Sequence, residues 1–135
     1  MLAAGADTNL TEKYGVTALM LACDSGHVEV SRLLLEAGAD KSLANSAGAN
    51  ALMSASQSGH VEIAHFLLEA GADQNSADND GFTSLILASR KGHVEVVRLL
   101  LVAGADKNAA ENDGFTALMQ ASANGNIEVV RLLLE

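Results

Sequence analysis

The chain has 135 residues, enough for one domain or one short repeat array. Apolar residues make up 49% and aromatics only 3%, so any core is built from Leu, Val, Ala and Met, and such a composition argues against disorder. A formal net charge of −9 opposes binding to nucleic-acid phosphates or to an anionic membrane, while remaining compatible with a basic partner.

A period of 33 residues organises everything else. Gly26 to Asp40 reads GHVEVSRLLLEAGAD and returns as GHVEIAHFLLEAGAD from Gly59 and as GHVEVVRLLLVAGAD from Gly92. A fourth copy, GNIEVVRLLLE, runs from Gly125 to Glu135. All twelve glycines fall into three series at this spacing, headed by Gly5, Gly15 and Gly26. A strict period of this length signals stacked supersecondary units rather than one globular core.

In chain order, Met1 to Asp7 reads as the tail of a repeat, so the chain opens inside a helix, with Leu2 matched to Leu35. Thr8 to Tyr14 is a polar connector. Thr17 is placed to cap a short helix over Ala18 to Ser25, its hydroxyl accepting an orphan backbone N–H. Leu19, Ala22 and Cys23 share one face of that helix. Gly26 ends it, because glycine takes the left-handed conformation without a Cβ clash. A longer helix follows, opened by His27, with Glu29 in its first turn and Val28, Val30, Leu33, Leu34 and Leu35 as a broad apolar stripe. Gly38 closes it, and Asp40 to Ala47 forms a polar loop. The later copies repeat the plan, with Asn50, Thr83 and Thr116 as caps. Phe66 takes the place of Leu33 and is assigned to the core. Four helix pairs are expected, over about 17–37, 50–70, 83–103 and 116–135. Helices of about ten residues are not stable alone, so each pair needs its neighbours to cover its apolar faces.

These residues resemble the ankyrin repeat, which has a 33-residue period and a T-P-L-H-x-A signature. Here the signature reads Thr17-Ala-Leu-Met-Leu-Ala22, Asn50-Ala-Leu-Met-Ser-Ala55, Thr83-Ser-Leu-Ile-Leu-Ala88 and Thr116-Ala-Leu-Met-Gln-Ala121. The GHVEV and LLLEAGAD segments match the family as well, and the resemblance covers the whole chain. Proline and histidine of the signature are replaced throughout, by Ala or Ser and by Met or Ile. The resemblance implies an all-α solenoid of about four stacked helix pairs with β-hairpin-like loops. One array over 1–135 is expected, with a partial repeat at 1–14, repeats at about 15–47, 48–80, 81–113 and 114–135, and the last truncated. It also implies a non-enzymatic, protein-binding scaffold whose partner contacts loop tips and inner short helices.

Catalytic and metal readings fare poorly. His27, His60 and His93 each precede a glutamate by two positions, but i and i+2 do not face each other on a helix, and the pairs lie a full repeat apart. The expected role of these histidines is bonding to neighbouring backbone at a helix start. Cys23 is the only cysteine, so no internal disulfide or thiolate metal cage can form, which suits an intracellular, cytoplasmic chain. Its matched residues are Ser56, Ser89 and Ser122, which points to a size constraint rather than a nucleophile. No clustered glycines form a phosphate cradle, and no catalytic, cofactor or metal site is assigned. Apolar runs fall short of the roughly 18 residues a membrane helix needs, and the start lacks the basic region of a signal peptide.

Candidate binding residues are those that fail to recur: Tyr14, Val16, Asp80, Phe82, Asp113 and Phe115 in the tips, and Asp24, Gln57, Arg90 and Lys91 at the short-helix ends. Aromatic and Arg side chains are typical interface anchors. The alternative for the tip aromatics is that they fold down onto their own loops. By resemblance, Asn75 and Asn108 are candidate hydroxylation sites; the plainer reading is a loop asparagine bonding its own backbone. The low variation between copies supports a second function, an engineered or excised structural segment with no evolved partner. Uncapped, complementary ends leave either a monomer or head-to-tail self-association.

Overall fold

The computed structural model describes residues 5–135. The expected helical opening at Leu2 falls on residues 1–4 and lies outside the described residues. Eight helices follow in four antiparallel pairs: α1 (Ala18–Ser25) with α2 (Val28–Glu36), α3 (Ala51–Ser58) with α4 (Val61–Glu69), α5 (Ser84–Lys91) with α6 (Val94–Val102), and α7 (Ala117–Ala123) with α8 (Ile127–Leu134). The odd-numbered helices pack in one row and the even-numbered in another. The expected contrast between short and long helices is slight, 8 against 9 residues in each of the first three pairs.

Local chemistry fixes each helix end. Thr17 Oγ1, Asn50 Oδ1, Thr83 Oγ1 and Thr116 Oγ1 accept the N–H groups of Met20, Met53, Ile86 and Met119 at 3.0–3.3 Å. Each satisfies one of the donors a helix start leaves orphaned. At the other end of α4, the Gly71 N–H bonds the Leu68 carbonyl at 3.0 Å and the Ala72 N–H the Leu67 carbonyl at 2.9 Å. This is a Schellman closure, and it needs the positive φ of 93° that Gly71 adopts.

The loops between pairs turn back as hairpin tips. In each, a backbone bond closes the base, for example Asp78 N–H to the Phe82 carbonyl at 2.9 Å. Two tips also form isolated antiparallel bridges, Ala77 with Thr83 and Ala110 with Thr116.

The core runs through the stack rather than sitting within any one pair. Leu19, Leu52 and Leu85 from the inner row and Ile63, Leu67, Val96, Leu100 and Val129 from the outer row are at most 1% exposed. Two expectations fail here. Val30 and Leu33 of the apolar stripe are 48% and 61% exposed, although their α4, α6 and α8 counterparts of Val30 are fully buried. That position is covered by the preceding pair, not by its own. Phe66 is half-buried, not core: it lines a hollow with Arg32, Leu35, Glu36 and Glu69 at the outer seam between α2 and α4.

Exposed ion pairs at i, i+3 and i, i+4, such as Arg98 with Glu95 at 3.4 Å, decorate the outer helices and add little to stability.

Gly59 and Gly71 allow a steric test of this architecture. Both need positive φ, 79° and 93°. A Cβ on Gly71 would find only Lys41 Cε at 3.8 Å, whereas one on Gly59 would sit 2.6 Å from His93 Nδ1. Gly71→Ala is expected to cost about 1–2 kcal/mol through backbone strain alone. Gly59→Ala is expected to cost about 1 kcal/mol more, because the displaced imidazole loses its bond to the second pair. Urea denaturation of the two variants checks this; equal losses would refute the steric account.

Candidate functional site

The tips are preorganised by their own side chains. Glu12 Oε1 accepts the N–H groups of Tyr14 and Val16 at 2.7 and 2.9 Å. Asn45 Oδ1 does the same for Ala47 and Ala49, and Asp78 Oδ1 for Asp80 and Phe82. In the fourth tip Glu111 Oε1 takes the Phe115 N–H at 2.8 Å. The tips are then joined in a row: the N–H groups of Ser46, Asn79 and Asn112 bond the carbonyls of Tyr14, Ala47 and Asp80 at 2.8–2.9 Å. A partner meeting this edge meets little backbone freedom, which lowers the ordering entropy lost on binding.

Of the candidate residues, Tyr14, Asp80, Asp113 and Phe115 stand exposed along the tip edge. Asp24, Gln57 and Lys91 stand exposed at the ends of α1, α3 and α5, forming a second row. The aromatics divide as the two readings allowed. Tyr14 and Phe115 are 57% and 49% exposed, while Phe82 is half-buried, with the Arg90 guanidinium 4.7 Å from its ring centroid. Phe82 therefore folds down, and Arg90 covers it. Val16 and Asp24 come together in a concavity of about 280 Å³ between α1 and α3, which Met20, Leu21, Asn45 and Ser54 also line. Leu21 was missed in the sequence. It is 60% exposed; its matched residues are the polar Ser54 and Gln120 and the buried Leu87, so the repeat accepts a polar residue there and the exposure is particular to Leu21.

The histidines have a different role from the one expected. His60 Nε2 donates to the Asp24 carbonyl at 3.1 Å and His93 Nε2 to the Gln57 carbonyl at 2.9 Å, each 36 residues back. They tie one pair to the previous one instead of bonding neighbouring backbone. Asn126, which replaces histidine, uses Nδ2 on the Ser89 carbonyl in the same way. The loop asparagines divide their bonds too. The N–H groups of Asn75 and Asn108 donate within their own loops, to Asp73 and Asp106. The Asn75 side chain instead reaches the next loop, its Oδ1 accepting the Asp106 N–H at 2.8 Å, while Asn108 is exposed. Among the described residues no group of three or more His, Cys, Asp or Glu side chains is placed to hold a metal ion. Nor is any helix there long and apolar enough to cross a membrane.

The family described as ankyrin repeats, in three copies, matches residues 1–78 and again 71–135, which together span the chain. The chain belongs to the ankyrin-repeat family. A search of curated proteins returns no match. Ankyrin repeats are generally non-enzymatic protein-interaction scaffolds.

Cys23 lies on α1, fully buried, with its Sγ 3.9 Å from Ser31 Oγ. Burial pushes its thiol up to about 11, against a smaller opposing effect of the Ser31 hydrogen bond. The folded state therefore prefers the neutral thiol. This contribution is intact below the ordinary thiol value of 9.0 and is lost as pH rises toward about 11. Stability of the ankyrin array is expected to fall over that window, and less so in Cys23→Ser. Chemical denaturation of both proteins at about pH 8 and about pH 10 measures it; parallel losses would assign the effect to other groups.

Proposed function

We propose that the chain is a non-enzymatic scaffold that binds a protein through Tyr14 and the Val16–Leu21–Asp24 concavity, with Phe115 and Lys91 as flanking contacts. The observation carrying this is the exposed Leu21 beside that concavity, an apolar side chain that the repeat framework does not require. The partner feature that fits is an apolar side chain entering the concavity beside a basic group facing Asp24. Charge supports this choice: −9 overall favours approach of a basic segment. Phe82 and Arg90 serve to stiffen the third tip in this reading, and Gln57, Asp80 and Asp113 form its polar rim.

The competing function is a structural array segment with no partner of its own, favoured by the near-identity of the framework copies. One experiment separates the two. Capture from lysate by the native chain is compared with capture by a Tyr14→Ala, Leu21→Ser variant of unchanged thermal stability. A specific protein lost by a factor of about ten or more from the variant supports the binding site, since hot-spot truncations of this kind typically cost at least 1–2 kcal/mol. Capture of nothing, or of the same proteins by both, favours the structural segment.

Self-association rests on a separate observation. Met119, Ile127 and Leu134 are 51–68% exposed at one end of the stack, and Val30 and Leu33 are exposed at the other. Interior pairs bury the residues matched to Met119, which are Met53 and Ile86, and those matched to Val30, which are Ile63 and Val96. We propose head-to-tail stacking of the 135-residue chain at high concentration. Light scattering over a dilution series is expected to show mass rising with concentration; a constant monomer mass opposes it.

A further inference from the structure

The three joints of the stack are not stitched equally. Between the second and third pairs, four side chains cross the joint. Asn79 Nδ2 donates to the Ser46 carbonyl at 2.9 Å, Gln74 Nε2 to the Ala103 carbonyl at 3.0 Å, and His93 to Gln57, while Asn75 Oδ1 accepts from Asp106. Between the third and fourth pairs, Asn112, Asn124, Asn126 and Lys107 all donate across, Lys107 to the Glu135 carbonyl. Between the first and second pairs, among the described residues, only His60 and Ser58 do so, both to Asp24.

The deficit has a chemical cause at two matched positions. Ser46 stands where Asn79 and Asn112 stand, and is too short to reach the preceding tip. Lys41 stands where Gln74 and Lys107 stand and, unlike both, makes no bond across its joint among the described residues. Ser42 stands where Asn9 and Asn75 do. The Asn9 side chain bonds the Asp40 N–H at 2.8 Å, as Asn75 bonds that of Asp106, but Ser42 Oγ turns back to Asp40 Oδ1 at 2.5 Å. The Asp73 N–H is left without an acceptor among the described residues. A cavity of about 180 Å³, lined by Lys41, Ser42 and Asp73 among others, opens where the missing side chain would lie.

What lies behind this joint can be read from the fourth pair, which has no pair packed beyond it among the described residues. Ser122 there is exposed, although its matched residues Cys23, Ser56 and Ser89 are all 0% exposed. Met119 is 51% exposed against 4%, 1% and 1% for Met20, Met53 and Ile86. At these positions the cover is supplied by the following pair. Parting the first joint would therefore uncover Cys23.

We propose that the joint between the first and second helix pairs is a built-in opening point of the array, and that Cys23 is a cryptic thiol which opening makes available for modification. The closed joint shields it sterically and keeps it neutral. Opening of one joint ahead of global unfolding is the behaviour expected of a chain held by nearest-neighbour contacts, where local stabilities differ.

Thiol labelling tests this. An aromatic disulfide reagent is used near neutral pH, where the Cys23 thiolate displaces the reagent's aromatic thiolate and forms a mixed disulfide. The native chain is compared with a Ser42→Asn, Ser46→Asn variant, which restores the asparagines found at the matched positions of the other repeats. Each restored bond is expected to slow labelling by about fivefold, and the two together by roughly tenfold or more. A second reporter, Cys23→Ser with Ser56→Cys, reads the next joint and is expected to be unaffected by the two restorations. Unchanged labelling of Cys23 in the restored variant overturns the proposal. So does equal slowing at both reporters, which would mean the restorations act on global unfolding.

Discussion

No helix pair in this chain can cover its own apolar surface, and every other feature depends on that. An inner helix of 8 residues and an outer one of 9 are too short to persist in isolation, and their hairpin leaves apolar side chains on both flanks. The fully buried state of Ile63, Leu67, Val96 and Leu100 exists only because the pairs stack in register. The strict period is the consequence. Each copy must present the same face to the next, so GHVEV and LLLEAGAD recur as framework, and variation is left to the positions that framework does not use.

Directional bonds then refine what apolar burial makes possible. Stacking alone would tolerate some sliding between smooth leucine faces. His60 and His93 pin each pair to a backbone carbonyl of the one before, and the tip amides join the hairpins into one edge. These bonds sit at the rim, half in water, so each contributes modestly; their geometric specificity is the larger effect. The buried hydroxyls of Ser56 and Ser89, which find no partner among the described residues, show the other side of this arrangement. Those sites demand a small side chain under the next pair, and the repeat accepts an unsatisfied polar atom to meet that demand.

The period made helix number, caps and closures legible before any coordinates, because each follows from one residue's local chemistry: Thr17 or Asn50 at a start, Gly26 or Gly71 at an end. What the sequence concealed was anything requiring knowledge of which neighbour covers a position. Val30 and Ile63 occupy the same place in the repeat, yet one is half exposed and the other fully buried, since cover comes from the preceding pair. Phe66 was assigned to the core by its match to Leu33, but that position faces the outer seam. The histidines looked like local helix-start residues because their partners lie 36 positions away. Leu21 escaped notice because its matched set, Ser54, Leu87 and Gln120, is mixed: Leu87 is buried while Leu21 is 60% exposed, a difference set by neighbouring pairs rather than by local sequence.

The proposed binding concavity and the proposed opening point lie at one place in this molecule. The concavity beside Leu21 takes Val16, Met20 and Asp24 from the first pair and its tip, and Asn45 and Ser54 from the second. It therefore straddles the joint that carries the fewest cross-bonds. A group lodged there touches both sides and exists as a bound species only while the joint is closed. By linkage, whatever binds in the concavity must favour the closed joint by the same free energy with which closure favours binding. An array stitched uniformly would gain rigidity at that place and lose this coupling. The short or misdirected side chains of Ser42 and Ser46 are thus departures from the repeat that converge on the joint where the proposed binding would be coupled to closure.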